Sequence, residues 1–586
     1  MFHPFFDESG EKSPWIIRVV LFIAFILIGA SLVYEPPARY PDLWHGFGFG
    51  VALVAFLVAG CWCLITPHDS VIRRMSPLVK VLTVSLLVGV YIPALIQPPW
   101  GFINLGDASH QVLEEISGVL VGHFPGVNFV STYTTLLGTP LLLLRPFAMS
   151  SFVEMFLVVL WVNVLTLLVP ALMTLLARRS LGLRSVAVPA LLVIAPLMIS
   201  GNWGSASSNV ESLSMIPGRT LLPLWLGLLV TSAVKRDSQK AWFVVGLCCL
   251  ATSYNNIEFG VPAVCSVILV LLFLGPLSKV VRAAKAVLGG LVFGAFLVFT
   301  YSLVVAGPLD LWYRIGSYSG RPYSPSNPFP LWSTHNLLLA LFVMAVILGL
   351  RERRNTIHAS TVAIYFGAWG FLSFPYCSYR CEPELYMSTQ VYLIPAIVCS
   401  VAIAGIYLQG RRSSPSHQDR RRQNPIVSLL IGISIAAILQ APNPIDEWRR
   451  IGGGAESMPW AQDSDRALPN EWSSEKIDWI DVKTLKNFRK EFDASEIGYF
   501  GHMGNSVELA TRMNNLTRIN SSEVLQIKGT RRLMELACRE VDEIHPKFIV
   551  VVGIDFPCDG YDPIPPLKNY PRLQVYRSDK SDLFQD

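Results

Sequence analysis

Apolar stretches of membrane-crossing length recur along this chain as far as position 440, and nothing else in the sequence restricts its fold so strongly. Thirteen runs qualify: Trp15 to Tyr34, Leu43 to Ile65, Leu78 to Ile96, Phe152 to Leu176, Val186 to Ser200, Arg219 to Val234, Ala241 to Tyr254, Phe259 to Leu274, Val287 to Ala306, His335 to Leu350, Ser360 to Phe374, Thr389 to Leu408 and Ile426 to Gln440. Several are shorter than the ~20 residues of a comfortable span, so their ends are loosely set and one or two suit a re-entrant path. Hydrocarbon offers no partner for a backbone N–H or C=O, which makes helices the expected form of such runs. Of the 586 residues 52% are hydrophobic and only 15% charged, with a mean hydropathy of +0.45. That balance excludes a large soluble protein and predicts an all-α polytopic membrane protein over residues 1–440.

Charge sets the expected orientation. Residues 66–77, 178–185, 235–240, 275–285, 351–355 and 411–424 hold 19 Lys and Arg, whereas the alternate short loops hold six: Arg39, Arg145, Arg219, Arg314, Arg321 and Arg380. The positive-inside rule then places the N-terminus in the cytoplasm and the loop 97–151 outside. With an odd number of spans the C-terminal segment is also outside. The first run is expected to be an uncleaved anchor in the plasma membrane, because its apolar core is long and Asp7, Glu8 and Glu11 precede it. The net charge of +5 is carried by these loop clusters, which gives no support to nucleic-acid binding.

From Ala441 the composition turns to Pro, Gly, Asp, Glu and Trp, and no further run of membrane length occurs in residues 441–586. A linker to about Ser474 and then a small α/β domain are expected, with strands at Ile497 to Phe500 and Phe548 to Val552 and helices at Ser506 to Met513 and Thr530 to Ile544. The glycines of GYFGHMG, at positions 498 to 504, read as a turn between strand and helix rather than as a phosphate loop, since the spacing is not GxGxxG. Outside the membrane Cys377 with Cys381 and Cys538 with Cys558 are the simplest disulfide pairs by proximity, free thiols being the alternative.

The most informative loop is WGFINLGDASHQVLEEISGVLVGHFPGVNFVSTYTTLLGTPLLLLRPF, Trp100 to Phe147. If Asp107 opens a helix, His110 and Glu114 share its face and Glu115 points away to solvent. A second amphipathic piece, Tyr133 to Phe147, is too short and too interrupted by Gly138 and Pro140 to span, and is expected along the interface. An apolar span, an acidic residue opening the first large outer loop, two interface helices and a further span resemble the GT-C superfamily of polyprenyl-phosphate-sugar glycosyltransferases. Asp107, Pro125, Tyr133 and Leu137 carry the resemblance, which is strongest to actinobacterial cell-envelope members such as arabinofuranosyltransferases. This chain departs from that pattern in having two earlier spans and a single Asp in place of an acidic pair.

The resemblance implies sugar transfer from a polyprenyl-phosphate donor to an envelope glycan or glycolipid. Such chemistry needs a base, a cationic partner for the departing phosphate and a groove for the acceptor. Asp107 is the candidate base, with helix capping as the competing role. His110 and Glu114 are candidates for substrate positioning. A divalent metal ion is the one cofactor they would suit, although no metal site is assigned. Arg219, Arg321 and Arg380 are candidates for phosphate binding, against interfacial snorkelling. Asn256 and Glu258, in YNNIEFG, are candidates for hydroxyl recognition, against a simple polar turn. The readings from other classes are a lipid-linked sugar transporter or flippase and a non-catalytic assembly protein. The first would place ionisable groups within spans and show related halves, and neither feature is apparent.

Overall fold

The computed structural model describes residues 107–125, 127, 129, 134–146, 151–181, 217–273, 275–305, 334–380, 394–396, 398–403, 405–406, 482–500, 505, 508, 511–517, 531–552, 558–564 and 573–578. The first helix, α1, is Asp107–Val121, and a short 3-10 helix follows at Thr139–Leu144. The apolar runs then fold as long helices: α2 Ser151–Leu181, α3 Leu221–Arg236, α4 Gln239–Asn255, α5 Ile257–Leu272, α6 Leu277–Val305, α7 Thr334–Arg351 and α8 Ile357–Arg380. Residues 394–396, 398–403 and 405–406 are also helical. Among the described residues two helices are long and apolar enough to cross a membrane, Leu277–Val304 and Ile357–Phe374. The expected spans at Trp15 to Tyr34, Leu43 to Ile65, Leu78 to Ile96, Val186 to Ser200 and Ile426 to Gln440 lie outside the described residues.

Polar punctuation separates the helices. Asp237 ends α3 in the left-handed conformation (φ 48°), and Ser238 caps α4 by accepting from the Ala241 N–H at 3.2 Å. At the other end of α4, Asn256 in extended conformation stops the helix and its side chain accepts from the Phe259 N–H at 3.0 Å, starting α5 at once. One asparagine thus makes a two-helix hairpin, because its oxygen satisfies an N–H that would otherwise be orphaned at the start of a helix.

Glycines let the helices approach. A Cβ on Gly246 would run into the backbone of Val287, and one on Gly290 into the backbone of Phe243, so α4 and α6 cross almost backbone to backbone. α8 occupies the centre of the bundle. Its Tyr365, Phe366 and Trp369 are fully buried, with Tyr365 Oη donating to the Pro223 carbonyl at 2.9 Å and Trp369 Nε1 to the Phe259 carbonyl at 3.1 Å. Aromatic bulk fills the core while each polar tip finds a backbone oxygen.

Most Lys and Arg of α2 to α8 gather at one pole. Arg179 at the end of α2 donates to the Leu228 carbonyl, Thr231 and Ser232 near the end of α3, and Lys279 at the start of α6 pairs with Asp237 at 2.7 Å. Lys235, Arg236, Lys240, Arg282, Lys285, Arg351, Arg353 and Arg354 sit at these same helix ends. The opposite pole holds α1, the start of α3 and the α4–α5 turn.

Beyond residue 481 a mixed five-stranded sheet is built from β1 Glu496–Phe500, β2 Asn514–Asn515, β3 Phe548–Val552, β4 Tyr561–Pro563 and β5 Leu573–Ser578, in the order β2-β1-β3-β5-β4. β1 pairs parallel with β2 and β3, and β5 pairs antiparallel with β3 and β4. Helices α9 Val482–Phe492 and α10 Arg531–Ile544 accompany it, and Leu485, Phe488, Ile497, Tyr499, Phe548 and Val550 share one core. Cys538 and Cys558 form a disulfide. The expected strands at Ile497 to Phe500 and Phe548 to Val552 and the helix at Thr530 to Ile544 are present as β1, β3 and α10, whereas α9, β2, β4 and β5 are additions. Of the expected helix Ser506 to Met513, Glu508 and Thr511 are helical, Arg512 and Met513 are not and the other residues lie outside the described ones, as does Cys381 of the other expected disulfide.

Candidate functional site

Asp107 is the first residue of α1 and His110 lies one turn on; the side chains of both are outside the described residues. What fixes this helix is its second half. Glu115 is buried at 3% exposure and its Oε2 accepts from the Thr134 N–H at 2.6 Å. This corrects the expectation of a solvent-facing Glu115. The chain reverses after α1 at Gly122 (φ 96°) and folds back along the helix, so Thr134 brings a non-helical N–H that needs an acceptor. Gly138 sits against the Ile116 backbone, where a Cβ would come within 2.8 Å of the carbonyl oxygen. In place of an interface helix over Tyr133 to Phe147, among the described residues of that stretch only the six of Thr139–Leu144 are helical, as a 3-10 turn with Leu141 buried and Leu143 exposed. Pro140 sits at its start, where a missing N–H costs nothing, but its ring bars any helix from continuing through it from Tyr133, and Gly138 before it favours the turn.

The returning segment is clamped by Asn255, the last residue of α4. Its Oδ1 accepts from Thr134 Oγ1 at 2.7 Å, the Thr135 N–H at 3.2 Å and the Leu136 N–H at 3.0 Å, while its Nδ2 donates to the Gly218 carbonyl at 3.0 Å. Next to Gly218, Arg219 is 1% exposed, pairs with Glu258 at 2.9 Å and lies over the Phe259 ring at 5.5 Å. The residues expected to contact phosphate and hydroxyl separately, Arg219 and Glu258, are therefore one buried ion pair. Asn256 is taken up by its capping bond. Arg380 closes α8 with its side chain outside the described residues, and Arg321 lies outside them altogether.

The third set of contacts comes from the C-terminal domain. Glu114, 7% exposed, accepts the Asn505 N–H at 2.7 Å through Oε2 and the Asn505 Nδ2 at 2.8 Å through its carbonyl. Gly118 makes room, since a Cβ there would meet Asn505 Nδ2 at 2.6 Å. Asn505 Oδ1 then faces His123 Nδ1 at 2.5 Å, while His123 Nε2 donates to the Asn515 carbonyl at 3.0 Å. Both ring nitrogens meet acceptors, which favours the imidazolium; burial opposes it more strongly and lowers the proton affinity of His123. Glu508 completes the cluster, accepting from the Asn515 N–H at 3.1 Å with Oε2 at 3.9 Å from His123 Nε2. Burial first, and the charge of Glu114 second, push its carboxyl up to about 8 against the Asn515 N–H and Arg145. At the periphery Arg512 pairs with Glu154 at the start of α2 at 2.8 Å.

Glu114 thus serves docking here rather than an open substrate face. Sequence reasoning missed Asn255, His123, Asn505 and Glu508; the one available signal was a polar string, HMGNSVE, following a strand. Among the described residues no group of three His, Cys, Asp or Glu side chains is placed to hold a metal ion. No protein-family model and no curated protein matches the chain.

Proposed function

We propose that this protein is an integral-membrane glycosyltransferase of GT-C type. In this reading it takes a sugar, arabinofuranose by the resemblance, from a polyprenyl-phosphate donor to a cell-envelope glycan or glycolipid. The enzyme is a multi-pass protein of the plasma membrane with its N-terminus in the cytoplasm and residues 441–586 outside. One observation carries the reading: a continuous polar path joins the helix opened by Asp107 to the buried cation Arg219, through Glu115, Thr134, Asn255 and Gly218. A base and a phosphate-binding cation act on opposite sides of one bond, so a rigid connection between the elements that bear them suits transfer.

In the proposed step the acceptor hydroxyl oxygen attacks the anomeric carbon, its proton passes to the Asp107 carboxylate and the bond to the donor phosphate breaks. The polyprenyl phosphate leaves with the electron pair, its charge met by Arg219. The test is incubation of the full chain in nanodiscs with synthetic polyprenyl-phosphate sugars and an envelope glycan acceptor, with products read by mass spectrometry. Elongated acceptor is expected. Movement of the lipid-linked sugar across the bilayer with no elongation would replace the enzyme by a flippase.

A further inference from the structure

The basic pole contains a groove that the outer site does not use. It has a volume of about 1110 Å³ and lies open between the first turns of α4 and α6, walled by Phe243, Val244 and Val281 and fringed by Lys240, Arg282 and Lys285. Lys279 nearby is neutralised by Asp237 at 2.7 Å. Among the described residues no carboxylate stands within ion-pair distance of the three fringe cations.

We propose that this groove binds the phosphate headgroup of an anionic phospholipid of the cytoplasmic leaflet, with an acyl chain laid along α6. Charge complementarity identifies the head: three cations around the groove, Lys240 from α4 and Arg282 and Lys285 from α6, attract a phosphate, and at a membrane surface each contributes of the order of 1 kcal/mol toward anionic lipid, about fivefold in affinity. The apolar stripe identifies the tail. Lys285 is followed on the same face of α6 by Leu288, Val292 and Phe296, exposed at 61%, 64% and 61%, at the three- and four-residue spacing that aligns side chains on a helix. From Lys285 to Phe296 the helix rises ~16 Å, roughly the hydrocarbon depth of one leaflet. The inference rests on the membrane-spanning reading of α6 and is independent of the chemistry at Asp107.

The experiment is native mass spectrometry of the full chain released from detergent micelles doped with phosphatidylglycerol or phosphatidylcholine. The native chain is expected to retain phosphatidylglycerol at least ~10-fold better than phosphatidylcholine. The triple variant Lys240→Gln/Arg282→Gln/Lys285→Gln, which alters only exposed side chains, should lose that preference, the single variant Lys285→Gln should lose part of it, and Lys279→Gln should keep it. Equal retention of the two lipids overturns the proposal. So does unchanged retention by the triple variant, an equal loss on Lys279→Gln, or displacement of the lipid by millimolar inorganic phosphate, which would make the groove a soluble-anion site.

Discussion

At the scale of single residues, Glu508 and Arg219 are the ones whose surroundings carry measurable consequences. The Glu508 carboxyl is held near 8 against an ordinary value of 4.5, so the folded state holds its proton more tightly than the unfolded chain. Its contribution to stability is present in full below about pH 4.5 and is lost as pH rises through 8. The His123 shift is downward, so its contribution changes only below its ordinary value of 6.5. The window from 6.5 to 8 therefore isolates Glu508. Protection factors of the α1 amides, from which the base-catalysed rise of intrinsic exchange is removed, should fall across that window in the native protein and stay flat in Glu508→Gln, which is neutral throughout. A slope that persists in the Gln variant would assign it to another group. Arg219→Ala takes the cation away from the Glu258 carboxylate at 2.9 Å and should cost about 3 to 5 kcal/mol, read as a fall in thermal stability. Its part in donor binding is better tested in Arg219→Lys, which keeps the charge and loses the planar fork. Unchanged donor affinity in a folded Lys variant would limit Arg219 to its pairing with Glu258.

Among the elements, the contact of α4 with α6 depends on glycine where backbones meet and tolerates more elsewhere. Gly246→Ala puts a methyl into the Val287 backbone, and overpacking of this kind costs about 1 to 3 kcal/mol. Gly289→Ala meets only the Phe243 ring at 3.7 Å and should lose no more than the few tenths expected of a tolerated site. Thermal unfolding of the two variants in detergent makes the comparison, and equal losses would contradict the crossing described. The same contrast explains what the sequence made legible. Apolar runs report helices directly, so α2 to α8 lie where hydropathy puts them, except that α6 begins at Leu277, inside the expected loop 275–285, and the strand at Phe548–Val552 follows from its β-branched residues. The clamp by Asn255 was not legible, because Asn255 and Asn256 are adjacent and equally polar. Only the folded chain shows that one caps a helix while the other gathers Thr134, Thr135 and Leu136. The His123–Asn505 contact was further out of reach, since 382 positions separate its partners and no local pattern joins them.

On the scale of the whole molecule, the basic ends of α2, α3 and α7 and the basic start of α6 lie at the pole opposite the Asp107 helix, and reporters decide which pole faces the cytoplasm. A reporter inserted near Ser414 should lie in the cytoplasm and one fused after Gln440 outside it; a cytoplasmic signal from the second would remove the extracytoplasmic placement of the site. The C-terminal domain, through Asn505 and Asn515 against Glu114 and His123, braces the second half of α1 and the turn that follows it. The most direct test of the central claim is sugar transfer by Asp107→Asn. Asparagine keeps the size and capping ability of aspartate while removing the basic oxygen. Measured with a synthetic polyprenyl-phosphate donor in nanodiscs, with donor binding followed in parallel, transfer by the variant should fall at least ~100-fold while binding persists. Near-native transfer by the Asn variant would contradict Asp107 as the base and reduce it to a helix cap.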